Sequence, residues 1–200
     1  MTMRLRKLEE KDAEGMLEWM HDPEIQKNFR FSSKCKKKED VLEFIREAEE
    51  EPVDGKSIHL AIVDENDEYL GTISLKNVDL ESANAEFAIS LRHSVQGKGI
   101  GTEATKELLN LAFNKFGLER VYLNVLSENK KAIYLYEKCG FNYEGEFRKH
   151  LFLRGEYKSL RWYSILREEY LGGGISKFYI IKPPISFLVL LKGSNTKEVA

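Results

Sequence analysis

Apolar and polar positions along the chain change period several times, and each change marks an element. Met3 to Lys7 alternates as a short strand, after which Ala13, Met16, Leu17 and Met20 recur at helical spacing within Glu9 to Met20. Asp12 is placed to cap that helix. Asp22-Pro23 breaks it and starts a short second one through Phe29, and Lys38 to Glu50 carries Val41, Leu42, Phe44, Ile45 and Ala48 on one helical face. From Ser57 the period becomes two. Ser57 to Asp64 and Tyr69 to Leu75 are predicted strands joined by Glu65 to Glu68, and Ala83 to Leu91 is the third strand of a meander.

A helix follows with Ala104, Leu108, Leu111, Ala112 and Phe116 toward the sheet, ended by Gly117. Arg120 to Leu126 is a strand, Asn129 to Lys138 a helix stopped by Gly140, and Phe141 to Phe147 with Leu151 to Leu166 form a closing strand pair. The order reads βααβββαβαββ. It predicts an α/β chain of the α+β type, with a mixed, mostly antiparallel sheet flanked by helices, as one domain over residues 1–170. Gly172-Gly173-Gly174 then breaks the pattern. Residues 171–200, with Pro183-Pro184 and the apolar run Ile185 to Leu191, read as a poorly ordered C-terminal appendage; a strand added to a sheet edge or a subunit contact are the alternatives.

The chemistry concentrates where the third meander strand, with Phe87, Ile89 and Leu91 on one face, runs into Gln96-Gly97-Lys98-Gly99-Ile100-Gly101 and then a helix. Glycines at alternate positions let a diphosphate approach the backbone, and the first N–H groups of the helix have no intrahelical partner and favour an anion. Lys98 adds a cation. The spacing lacks the four residues that a P-loop places before Gly-Lys-Ser/Thr, and G-x-G-x-G without repeated strand–helix units is a weak match to a dinucleotide fingerprint.

The same six residues resemble the acyl-CoA pyrophosphate loop, Q/R-x-x-G-x-G/A, of the GNAT superfamily of N-acetyltransferases. Asn124-Val125 and the run Asn129-Lys130-Lys131-Ala132-Ile133-Tyr134-Leu135-Tyr136-Glu137-Lys138-Cys139-Gly140-Phe141 resemble that family's N-x-x-A-x-x-x-Y-x-x-x-G-F helix. The resemblance covers about residues 3–170, is strongest from Glu86 to Phe147, and leans toward the ribosomal-protein and polyamine acetyltransferase branch. It implies acetyl-CoA as cosubstrate, held by the loop from Gln96 to Thr102 (Gln96, Gly97, Lys98, Gly99, Ile100, Gly101 and Thr102), by the backbone of Ala88, Ile89 and Ser90, and by Asn124 and Asn129. Asn129 also stands where an N-cap belongs.

Tyr136 matches the family tyrosine that protonates the departing CoA thiolate, and Tyr134, two residues away, is expected to face elsewhere. Glu86 is the first candidate for the base that deprotonates the amine. Cys139 has no histidine near it in sequence and reads as packing, so direct attack by the amine is expected rather than a covalent enzyme intermediate. The resemblance puts the early helices along the acceptor, where Trp19, His21, Phe29 and Phe31 would either touch substrate or, the preferred reading, pack the core. The acceptor is a protein N-terminus, a polyamine or other small amine, or a nucleotide-linked amino sugar. Glu10, Glu14, Glu18, Asp22 and Glu24 would suit a polycation, although they also read as ordinary solvated charges. A noncatalytic acyl-CoA-binding module and a nucleotide-dependent oxidoreductase are the rivals.

Composition adds exclusions. Across 200 residues with net charge −2 and pI near 6.2, nothing favours nucleic-acid binding. The runs Lys34 to Lys38 and Glu47 to Glu51 read as solvated faces. Two distant cysteines, Cys35 and Cys139, form no disulfide framework and no metal-ligand cluster, so no metal is expected and a reducing, cytoplasmic setting fits. No apolar run approaches the roughly 20 residues of a membrane span, and a monomer or homodimer is expected.

Overall fold

The computed structural model describes residues 2–29 and 35–172. Strand β1 (Met3–Lys7) leads through one 3-10 turn into α1 (Ala13–His21), α2 (Pro23–Gln26) and α3 (Lys38–Glu47). Strands β2 (Ile58–Asp64), β3 (Tyr69–Asp79) and β4 (Asn84–Leu91) follow, then α4 (Ile100–Asn110), β5 (Arg120–Leu126), α5 (Lys130–Lys138), β6 (Asn142–Leu153), β7 (Glu156–Leu166) and α6 (Arg167–Tyr170). Helix α2 is the short helix predicted after Asp22-Pro23, ending at Gln26 rather than Phe29, and the one-turn α6 is additional. Residues 173–200, which include most of the predicted appendage and its apolar run, and Phe31 in the early helical region, lie outside the described residues.

The described strands form one seven-stranded sheet in the order β1-β2-β3-β4-β5-β7-β6. Every neighbouring pair is antiparallel except β4 and β5, because α4 is the crossover that carries the chain back to the same end of the sheet. Alternation then divides the side chains between two cores. On one face Ile62, Ile73, Phe87 and Leu123 pack with α4, the π-helical turn Leu111–Lys115 that continues it, and α5 through Leu108, Phe113 and Ile133. On the other, Ala61, Val63 and Tyr69 pack with Met16, Trp19, Val41 and Ile45 of α1 and α3.

Several boundaries differ from those predicted. Helix α3 ends at Glu47 rather than Glu50, since Ala48 turns extended and Glu49 bridges to Ile58. The β6–β7 turn lies at Arg154-Gly155, where both φ angles are positive (52° and 84°), and not at residues 148–150. That polar stretch is a bulge inside β6, with Lys149 at φ 51° and a register shift between Phe147 and Leu151. Asp12 does not cap α1. Its carboxylate accepts two hydrogen bonds from Arg6, each at 2.8 Å, and one from the Glu9 N–H at 2.8 Å. Those bonds push the Arg6 guanidinium further up and tie β1 to the first turn. Asp22 does cap α2, accepting from the Glu24 N–H at 2.8 Å and the Ile25 N–H at 3.4 Å. No described helix is long and apolar enough to cross a membrane.

Candidate active site

Strands β4 and β5 pair only at Asn84–Arg120, Ala85–Val121 and Glu86–Tyr122. From Phe87 onward β4 keeps β3 on one side and has no β5 partner on the other. The split opens a cleft of about 1040 Å³ that runs from the α1–α3 layer to the glycine loop and α5. The cleft lies at the carboxyl ends of the two parallel strands, where the chain leaves β4 for the crossover helix.

The glycine loop forms one end. Gly97 and Gly99 take φ angles of 77° and 87°, and a Cβ at either would project into open space. This is a cradle that side chains would fill. Gly101 differs. It lines the cleft as well, but a Cβ there would meet Leu91 at 3.3 Å and Leu135 at 3.4 Å, so this glycine also serves the close packing of α4 on β4 and α5. The Gln96 amide donates to the Leu91 carbonyl at 3.3 Å and ties the loop to the end of β4. Thr102 lines the cleft, its N–H already engaged with the Gly99 carbonyl at 2.9 Å. Lys98 and Ile100 do not line it: Lys98 is exposed elsewhere and Ile100 is a core side chain.

Helix α5 supplies the next wall. Asn129 caps it, its side-chain oxygen accepting from the Ala132 N–H at 3.2 Å, and it also lines the cleft. Tyr136 reaches the cleft from a bed of aromatic edges, with ring centroids 5.8 Å from Phe87 and 6.0 Å from Phe141. Burial pushes its phenol well above the ordinary range, so it carries its proton at neutral pH. Tyr134 corrects an expectation: although 68% exposed, it borders the mouth of the same cleft. Cys139 is buried outside the lining, its thiol pushed up by burial and directed at the Thr102 carbonyl at 3.9 Å.

Where the strands part, Glu86 forms an ion pair with Lys76 at 3.1 Å and accepts from the Asn124 amide at 3.2 Å. A carboxylate only accepts, so the Asn124 nitrogen faces Glu86 and the buried Asn124 oxygen is left without a partner. An orphaned acceptor in the cleft wall is suited to a ligand N–H. Across β4, Ala88 stands opposite Ser74, and Ser74 opposite His59, in one row of the sheet. His59 Nδ1 lies 2.7 Å from Ser74 Oγ, and its ring packs against Phe44 at 4.6 Å. Burial, with Lys76 adding to it, lowers the His59 pKa to about 4 and keeps the imidazole neutral.

Trp19 and Phe29 close the far end, stacked at 5.5 Å, with the Trp19 indole N–H donated to Tyr69 Oη at 3.0 Å. Both line the cleft, whereas His21 hydrogen-bonds the Lys36 carbonyl at 3.0 Å outside it. Trp19 therefore serves core and cleft together. The sequence reading missed His59, Ser74, Lys76 and Phe44 because each sits in an ordinary strand or helix pattern. It also passed over Lys131, inside the α5 motif, which adds a cation near the loop. Among the described residues no three His, Cys, Asp or Glu side chains gather as a metal site.

Residues 2–142 match the family of the acetyltransferase (GNAT) domain. The chain is 28% identical over 173 residues to the uncharacterized N-acetyltransferase p20 of Bacillus licheniformis, covering 85% of this chain and 96% of that one. It is 34% identical over 110 residues to the spermidine N(1)-acetyltransferase of Escherichia coli K12, covering 55% and 59% respectively. The structure of spermidine N-acetyltransferase from Vibrio cholerae in complex with CoA and spermine superposes with a TM-score of 0.76 at 26% identity, covering 85% of this chain and 98% of that one. The split sheet, the glycine cradle and these matches agree: the chain belongs to the GNAT acetyltransferases, enzymes that take their acetyl group from acetyl-CoA.

Proposed function

We propose that the enzyme passes the acetyl group to a primary amine by direct attack while both substrates are held in the cleft. The observation that carries this reading is the position of a buried, protonated Tyr136 and an ion-paired Glu86 on the walls of one cleft that begins at the glycine loop. When bound, acetyl-CoA supplies a thioester whose carbonyl carbon accepts the amine.

The open cradle at Gly97 and Gly99, with Lys131 nearby, suits its phosphates, and the unpaired edge of β4 at Ala88, Ile89 and Ser90 suits its amide groups. Backbone N–H groups on that edge polarise the reacting carbonyl. Tyr136 gives its phenolic proton to the departing sulfur, and Glu86 draws the amine's proton through water. Asn124 and Asn129 shape the wall between them. Cys139, buried outside the lining with its thiol held protonated, supports the direct route over a covalent one. Residues 1–170 then constitute the catalytic domain, with 171–200 appended to it.

The test is CoA release, followed with a thiol reagent, across peptides, polyamines and amino sugars. Acceptor-dependent release is the expected result. CoA bound tightly with no release for any acceptor would replace the transferase with an acyl-CoA-binding module.

A further inference from the structure

Several relatives are spermidine acetyltransferases, which act on a polycation, and the acidic early helices of this chain look suited to one. The structure places those carboxylates elsewhere. Glu10 pairs with Arg46 at 2.9 Å, Glu14 with Lys38 at 2.5 Å, Glu18 with Arg92 at 2.7 Å and Glu24 with Lys27, while Asp22 is spent on the α2 cap. None of the five lines the cleft.

Among the described lining residues the carboxylates are Asp40 and Glu86. Asp40 accepts from the Lys37 N–H at 2.7 Å as part of the α3 cap, and Glu86 is paired with Lys76. Lys36 and Lys76 line the same cleft, so a second and third ammonium would meet cations rather than partners. What that end offers instead is apolar surface. Met16, Trp19, Ile25, Phe29 and Phe44 line it together with the Ser74 and Thr72 side chains. The Trp19 N–H and the Tyr69 hydroxyl satisfy each other and Thr72, at 3.0 and 2.7 Å, so the wall presents ring faces without an unpaired donor. At the inner end, Glu86 and the orphaned Asn124 oxygen supply two acceptors, enough for one ammonium or amine head.

We infer that the acceptor is a monoamine on an apolar, aromatic body, its nitrogen at Glu86 and Asn124 and its body against Trp19, Phe29 and Phe44, and not a polyamine. This deepens the transferase reading and rests on it.

The probes are 2-phenylethylamine and spermidine. Each is titrated into the CoA-loaded protein by calorimetry, which reads the pocket without turnover, and each is assayed for kcat/KM with acetyl-CoA. The expected result is a preference for 2-phenylethylamine of about tenfold or more in both measurements, the scale on which an apolar pocket and a missing counter-charge discriminate. Phe44→Ala, at a half-buried position, is expected to weaken 2-phenylethylamine about fivefold while CoA affinity stays unchanged. Equal or tighter binding of spermidine overturns the inference, as does a Phe44→Ala variant that leaves the aromatic amine unaffected. Selective binding of the aromatic amine without CoA release would uphold the pocket and overturn the transferase reading, so the two failures are distinguishable.

Discussion

The two ends of the cleft are built by different means. The end proposed to take the cofactor is made of backbone: Gly97 and Gly99 at positive φ, the first turn of α4, the bare edge of β4 and the capped start of α5. The end proposed for the acceptor is made of side chains from α1, α3, β2 and β3, brought together across as many as fifty positions of sequence, such as Trp19 with Tyr69. A backbone site tolerates almost any neighbouring side chain provided the turn is kept, so it suits the substrate that every family member shares. The side-chain site changes with each substitution, which is how one scaffold takes different amines.

That contrast is sharpest at the chemical centre between the two ends. Tyr136→Phe keeps the ring and its edge contacts with Phe87 and Phe141 but removes the proton donor. Turnover is expected to fall about a hundredfold, with CoA affinity within about twofold, the signature of losing general acid catalysis alone. Full turnover in this variant, measured by CoA release, would remove Tyr136 from the chemistry.

At the cofactor end a pair of glycine substitutions separates binding from packing. Gly99→Ala places a methyl group in the open cradle at φ 87° and is expected to weaken CoA about tenfold by calorimetry, with a folding cost of about 1 kcal/mol for the left-handed backbone. Gly101→Ala forces Leu91 and Leu135 to shift and is expected to lower the melting temperature more than it lowers CoA affinity. The reverse ranking would show that Gly101, not Gly99, shapes the phosphate site.

A further effect belongs to the acceptor end and is read as stability. An unfolded His59 binds its proton near pH 6.5, whereas the folded one does so only near 4. Between those values the unfolded state holds more protons, so stability rises with pH across that window and is lost as pH falls through it. The slope from this one group is at most about 1.4 kcal/mol per pH unit. His59→Gln is expected to flatten that part of the profile, measured as the urea midpoint from pH 4 to 6.5; an unchanged slope would place His59 in water rather than against Phe44 and Ser74.

Legibility in the sequence follows the same divide. The glycine loop, the Asn129 cap, Tyr136 and the strand that delivers the loop were all readable, because each depends on contacts within a few residues. The β6–β7 turn was misplaced because a bulge around Lys149 and a true turn at Arg154-Gly155 carry similar local signals, and only pairing with β7 tells them apart. Gly101 was readable as a glycine but not as a packing glycine, since Leu91 and Leu135 reach it from other elements. His59 and Ser74 gave no signal, each being one polar position in an alternating strand.

By itself, then, the sequence determined the order of elements, the open glycine turn at Gly97 and Gly99 and the cap that starts the helix of Tyr136, since periodicity, turn chemistry and caps are local properties of the chain. Tertiary structure alone decided where β4 and β5 part, which pairs Glu86 with Lys76 and Asn124, and which early carboxylates are spent on surface partners. Those outcomes depend on register and on packing between distant segments. A carboxylate in an amphipathic helix reads the same whether it faces a substrate or a surface lysine.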